Sequence, residues 1–234
     1  MASKTGKGSK GGAAEISRDA VVDAALALAA EGPWERVRLS DIAARAGTDL
    51  ATLRREFPGK TAILSAFGKR VDEAVLAGID RDLEDEPARE RLFDIMVARF
   101  DYLKPHRAAA RSVARAMMRD PASALEANRA AVNSMVWMME AAGIDASGGR
   151  GRLRAQGLVL IAARTMRVFI DDDDPGLART MAALDRHLNE GERIVRRGED
   201  ACRLARGVAR FAGSILRGGR RRGGAETVDA GGGI

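Results

Sequence analysis

The chain has 234 residues, of which 46% are hydrophobic, 31% charged and only 4% aromatic. That length suffices for one large domain or two small ones with a buried core, and the dominance of alanine, leucine and arginine over aromatics excludes a β-sandwich or barrel. The net charge of +6 sits at the ends: residues 1–14 carry three lysines and no acid, and residues 191–223 carry ten arginines against three acids, so the middle is close to neutral.

In chain order, residues 1–14 read as a disordered basic tail, and helix follows over about 18–31, behind Ser17 as a cap and ended by Gly32-Pro33. Two short helices are expected at 39–46 and 50–57, and a longer one from Lys60 after Pro58-Gly59. Beyond Pro87, apolar residues at three- and four-residue spacing predict helices over 88–103, 106–119, 122–142, 152–170 and 176–190. Asp174 and Pro175 would supply the cap and first-turn proline of the last. The fold class is all-α: a three-helix head over 15–65, a helical bundle over 66–190, and a basic amphipathic, Gly/Arg-rich tail over 191–234. No uncharged stretch reaches the roughly 18 residues of a membrane span, and MASKTGKGSKGG lacks the apolar middle of a signal peptide. A soluble, cytoplasmic protein is expected.

Residues 39–57 have the spacing of a helix-turn-helix. Gly47 suits a left-handed turn after the first helix, and Asp49 can cap the second. Ile42, Ala43, Ala46, Leu50, Leu53 and Phe57 are expected to pack inward. Thr48, Asp49, Ala51, Thr52, Arg54 and Arg55 are left for a major groove and its phosphates. Over 15–64 there are seven bases against eight acids. Phosphate neutralisation supplies most non-specific affinity for DNA, so the head binds a polyanion only if those acids face away or the lysine tail helps. A helix-turn-helix without DNA binding stands beside the DNA-reading alternative.

Trp34, Asp41-Ile42-Ala43, Ala46-Gly47, Thr52-Leu53-Arg54-Arg55-Glu56-Phe57 and Lys60 resemble the pattern of the TetR family of one-component regulators. The resemblance implies that Thr48, Thr52, Arg54 and Arg55 face double-stranded operator DNA and that Lys60 holds a phosphate. Arg38 lies where the family usually has a phosphate-contacting threonine. The sequence departs from the pattern where the family's tyrosine is Arg54 and its serine cap is Asp49, and Glu56 adds a second acid to the recognition helix. Residues 90–188, including Arg91–Asp94, Trp137–Gly143 and Asp171–Pro175, resemble TetR-like proteins close to the ubiquinone-biosynthesis accessory family. That second likeness implies isoprenoid-lipid binding.

A bundle interior is expected from Phe93, Met96, Phe100, Met117, Met118, Leu125, Met135, Trp137, Met138, Leu158, Ile161, Met166 and Phe169. It is either a Met-rich cavity for a small apolar effector or lipid, or a packed core. The family resemblance implies a homodimer through the last two bundle helices. The tail over 192–217 sets apolar residues at heptad spacing opposite arginines, the pattern of a helix lying on an anionic membrane, DNA or a partner, or else of a solvated tail.

Nothing in the sequence points to an enzyme, a metal or a cofactor. The single cysteine, Cys202, and the two histidines, His106 and His187, cannot build a Cys/His zinc cluster. The Gly6–Gly11 string follows no strand, and Gly59-Lys60-Thr61 lacks the upstream glycine of a phosphate loop. Asp171–Asp174 read better as a solvated cap than as a cation site. The leading expectation is a ligand-responsive, homodimeric DNA-binding regulator, most simply a repressor. The alternative is a lipid-binding accessory protein on the same fold that contacts membranes through 192–217.

Overall fold

The computed structural model describes residues 17–79 and 85–197. The chain divides into two compact units, residues 1–188 and 189–234. The first holds α1 (Arg18–Glu31), α2 (Leu39–Arg45), α3 (Leu50–Glu56), α4 (Lys60–Ala77), α5 (Ala88–Leu103), α6 (Arg107–Arg119), α7 (Pro121–Ala141) and α8 (Gly148–Phe169). A ninth helix, α9, runs from residue 178 to the end of the unit. No strand occurs among the described residues, in keeping with the all-α expectation. Of the second unit, residues 189–197 are described and helical; Arg196 pairs with Glu192 at 2.6 Å and Ile194 is exposed. The remainder of the expected 192–217 helix lies outside the described residues.

Two hydrophobic cores share the first unit. One gathers Val21, Val22 and Leu26 of α1, Trp34, Ile42, Leu53, Phe57 and Ile63, and it also takes Ala109 and Ala116 from α6. The other gathers Val71 and Val75, Met96 and Phe100, Met135 and Met138, Leu158 and Phe169, and Leu184. Helix α4 is 18 residues long, about 27 Å at 1.5 Å per residue, and contributes to both. The boundary expected at residue 65 therefore falls inside a continuous helix.

Three polar groups meet inside the second core. Asp72 of α4 is buried, pairs with Arg99 of α5, and accepts the Ser134 hydroxyl of α7 at 2.7 Å. A buried carboxylate persists when cationic and hydroxyl partners replace its water.

Three local expectations need correction. Ser17 precedes α1 but its side chain makes no capping bond. Helix α8 begins at Gly148 rather than 152: a Cβ at Gly151 would collide with the Ala146 backbone, so the glycines read as loop are what lets the helix start pack close. Pro175 lies in the turn before α9 rather than in its first turn, while Asp174 does cap, accepting the Ala178 N–H at 2.8 Å.

In the same turn Asp172 is fully buried and accepts the Thr180 N–H at 2.8 Å and hydroxyl at 2.6 Å. Burial opposes its charge, but the Thr180 bonds prevail and hold its pKa below the ordinary 3.8. A depressed carboxyl contributes stability that is complete above the unfolded value and lost as pH falls below it. Asp172→Asn is therefore expected to lower the thermal midpoint at neutral pH and to flatten its fall below about pH 4. Parallel acid limbs for the two proteins would count against this role.

Candidate nucleic-acid interface

The helix-turn-helix is closed by local bonds. Helix α2 opens with the Arg38 N–H donating to Asp41 Oδ2 at 3.0 Å. It ends in a left-handed Gly47, φ 71°, where the Gly47 and Thr48 N–H groups return to the Ala44 and Ala43 carbonyls. Few residues other than glycine tolerate that φ. Asp49 then caps α3, its Oδ1 accepting the Thr52 N–H at 2.7 Å. That bond is the first cause holding the Asp49 carboxyl below its usual range.

Every described acid of the head has a partner inside the protein. Glu31 makes a two-pronged pair with Arg45 at 2.8 Å on both arms, which depresses its pKa. Asp19 and Asp23 face Arg70, at 3.6 and 2.7 Å. Glu35 pairs with Arg119 of α6 at 2.8 Å. Asp41 and Asp49 are caps. Glu56, the unwanted acid of the second helix, is held by Arg18, whose guanidinium also covers the Phe57 ring at 4.4 Å. The near-neutral charge of the head thus resolves into internal pairs. Arg36 and Arg38 stay exposed with no ion pair among the described residues, and Arg54 and Arg55 are exposed on α3.

Residues 21–67 match the family model described as bacterial regulatory proteins, tetR family. The head is of the TetR type. The transcriptional repressor LfrR of Mycolicibacterium smegmatis is 39% identical over 70 residues, 30% of this chain and 36% of the repressor, so the match spans about a third of that relative. A TetR transcriptional regulator from Nitrosomonas europaea shares 29% identity and superposes with a TM-score of 0.60, covering 75% of this chain and 97% of that one. The regulator FadR of Bacillus subtilis, solved in complex with stearoyl-CoA, shares the fold at 20% identity, with a TM-score of 0.51 over 74% of this chain and 98% of that one.

Within the TetR-type head, three residues stand otherwise than expected. Thr52 is buried, at 7% exposure, and its hydroxyl accepts from Arg55 at 2.9 Å instead of facing outward. Lys60 is half-buried and its ammonium is turned to the protein: Nζ donates to the Trp34 and Val37 carbonyls at 2.6 and 2.8 Å and lies 4.4 Å over the Trp34 ring. Burial lowers its pKa, against an opposing pull from Glu35. Leu50, expected in the core, is 52% exposed. Arg54 donates to the Pro58 carbonyl at 3.2 Å, and Thr48 is half-buried behind Gly47. Arg36 and Arg18 were not among the expected contacts; Arg36, two residues before Arg38 in Trp34-Glu35-Arg36-Val37-Arg38, is exposed beside it.

The expected effector residues divide similarly. Met96, Phe100, Met135 and Met138 are buried in one cluster, with Phe93, Ile161 and Met166 packed against it. Met118, Trp137 and Leu125 point outward, at 69%, 61% and 62% exposure, and Met117 is half-buried. Neighbouring helical residues lie about 100° apart. Turning Met138 and Ala116 inward therefore swings Trp137 and Met118 out. Trp137 borders an open surface depression of about 600 Å³ with Val136, Ala146 and Arg152. Among the described residues, no group of three or more His, Cys, Asp or Glu could hold a metal, and no helix is long and apolar enough to cross a membrane.

Proposed function

We propose that the chain is a homodimeric transcriptional repressor whose TetR-type head binds double-stranded operator DNA and whose helical bundle answers to a small apolar effector. The observation that carries this reading is the internal pairing of every described head acid, which leaves Arg36, Arg38, Arg54 and Arg55 outward around α3. Pairing across a two-fold axis is supported by Leu153 and Leu160, exposed at 73% and 55% and seven residues apart on one face of α8.

A route from bundle to head is supported by α6. Its Ala109 and Ala116 complete the head core, and its Ser112 donates to the Gly32 carbonyl at 2.8 Å and accepts the Trp34 N–H at 2.9 Å. An apolar effector suits the methionines of the second core, which can rearrange around a ligand, and FadR, of the same fold, is complexed with stearoyl-CoA.

The test is binding of the full chain to its own upstream DNA at several salt concentrations. Each phosphate contact adds about 0.9 to the slope of log affinity against log salt. Arg36→Ala with Arg38→Ala is therefore expected to reduce that slope by about 2, and Arg54→Ala to weaken binding further. A dimer that ignores every promoter fragment at low salt while retaining lipid would replace this reading with the accessory alternative.

A further inference from the structure

The polar groups along α3 are largely engaged within the protein. The Asp49 carboxylate caps the helix, the Thr52 hydroxyl is buried against Arg55, the Arg54 guanidinium bonds the Pro58 carbonyl, and Glu56 is tied to Arg18. What α3 turns outward without a bond is apolar: Leu50, 52% exposed, and Ala51, also exposed, while Thr52 and Leu53 supply the inward face. A leucine half in water on a helix whose neighbours already have partners is unexplained by packing, since the core beneath it closes on Leu53, Phe57 and Ile42. Leu50 lies one helical turn before Arg54, and Ala51 one turn before both arginines, so the two apolar side chains share a face with two cations.

Resting on the reading of the head as an operator binder, we propose that Leu50 and Ala51 read thymine methyl groups, so that the operator half-site carries adjacent A·T pairs opposite the first turn of α3. In the major groove thymine presents the one apolar group on any base edge, its C5 methyl, and recognition helices meet base edges with their opening residues. A·T and G·C pairs alike present donors and acceptors there that leucine and alanine leave unsatisfied, so what separates the two pairs for these side chains is the methyl group itself. Arg54 and Arg55, on the same face, reach the flanking phosphates and set register, which is work that tolerates any sequence.

The experiment selects binders of the full-length chain from random duplexes, then remakes the selected duplex with deoxyuridine for thymidine at each A·T position. Removing one methyl changes only its apolar contact. The expected loss is about fourfold in affinity for each methyl that Leu50 or Ala51 covers, the weight of one buried methyl group. Leu50→Ala and Ala51→Ser should fold as the parent does, since both sites are exposed, and should abolish the sensitivity to deoxyuridine at their own position. Equal affinity for both duplexes, or a uridine effect unchanged in both variants, overturns methyl reading while leaving the head a DNA binder. A wild-type chain that enriches no sequence overturns the operator reading, and this inference with it.

Discussion

Asp72→Ala is expected to destabilise the first unit by about 3–5 kcal/mol, because it strips Arg99 of its counter-charge inside a core and leaves a buried cation uncompensated. The two side chains are 11% and 15% exposed, far from the range in which water would screen the loss. Ser134 also loses the acceptor of its 2.7 Å bond. Urea denaturation of the full chain measures the effect. The paired change Asp72→Leu with Arg99→Met removes both charges and should cost far less than either single change, since a well-packed apolar pair avoids the desolvation of the ions. A double variant no more stable than Asp72→Ala would show that volume, not charge, sets the cost.

Trp34→Ala should cost about 3–5 kcal/mol, the usual toll of removing a large buried aromatic. Trp34 is 4% exposed and belongs to the head core. It also lies under the Lys60 ammonium, and its carbonyl and N–H bind Lys60 and Ser112. Removing the indole leaves the backbone bonds without the ring that holds their geometry, and the turn carrying Arg36 and Arg38 loses its seat. Thermal unfolding reads the stability; DNA affinity should fall as well, although Trp34 is buried away from any duplex. Trp34→Phe, which keeps most of the volume, should recover much of both. Unaltered DNA affinity in the alanine variant would separate the turn from the interface.

The helices were legible because their signals are local. Gly32-Pro33, Gly47 and Pro58-Gly59 mark breaks that any tertiary context must respect, and α1 and α5 match the spans expected from periodicity. The head motif was legible for the same reason: Asp49 caps a helix through a bond three residues away. What the sequence could not disclose depends on partners distant along the chain. Glu56 looks hostile to DNA until Arg18, 38 residues earlier, is seen beside it. Lys60 looks like a phosphate ligand until the carbonyls of Trp34 and Val37 are found around its ammonium. Trp137 and Met118 were drawn inward by hydrophobicity alone, whereas the rotation of α7 and α6 is set by which neighbours they bury against. Leu50 belongs with them: its apolar character pointed to the core, yet it stands 52% exposed on α3.

The seating of α6 in the head core has a practical corollary for anyone who would graft this head onto another protein. A fragment cut after α4 would bare the apolar floor that Ala109, Val113 and Ala116 cover, and Gly32 and Glu35 would lose Ser112 and Arg119. A transplantable cassette must therefore carry α6 along, or have the uncovered faces of α1 and Trp34 rewritten with polar side chains.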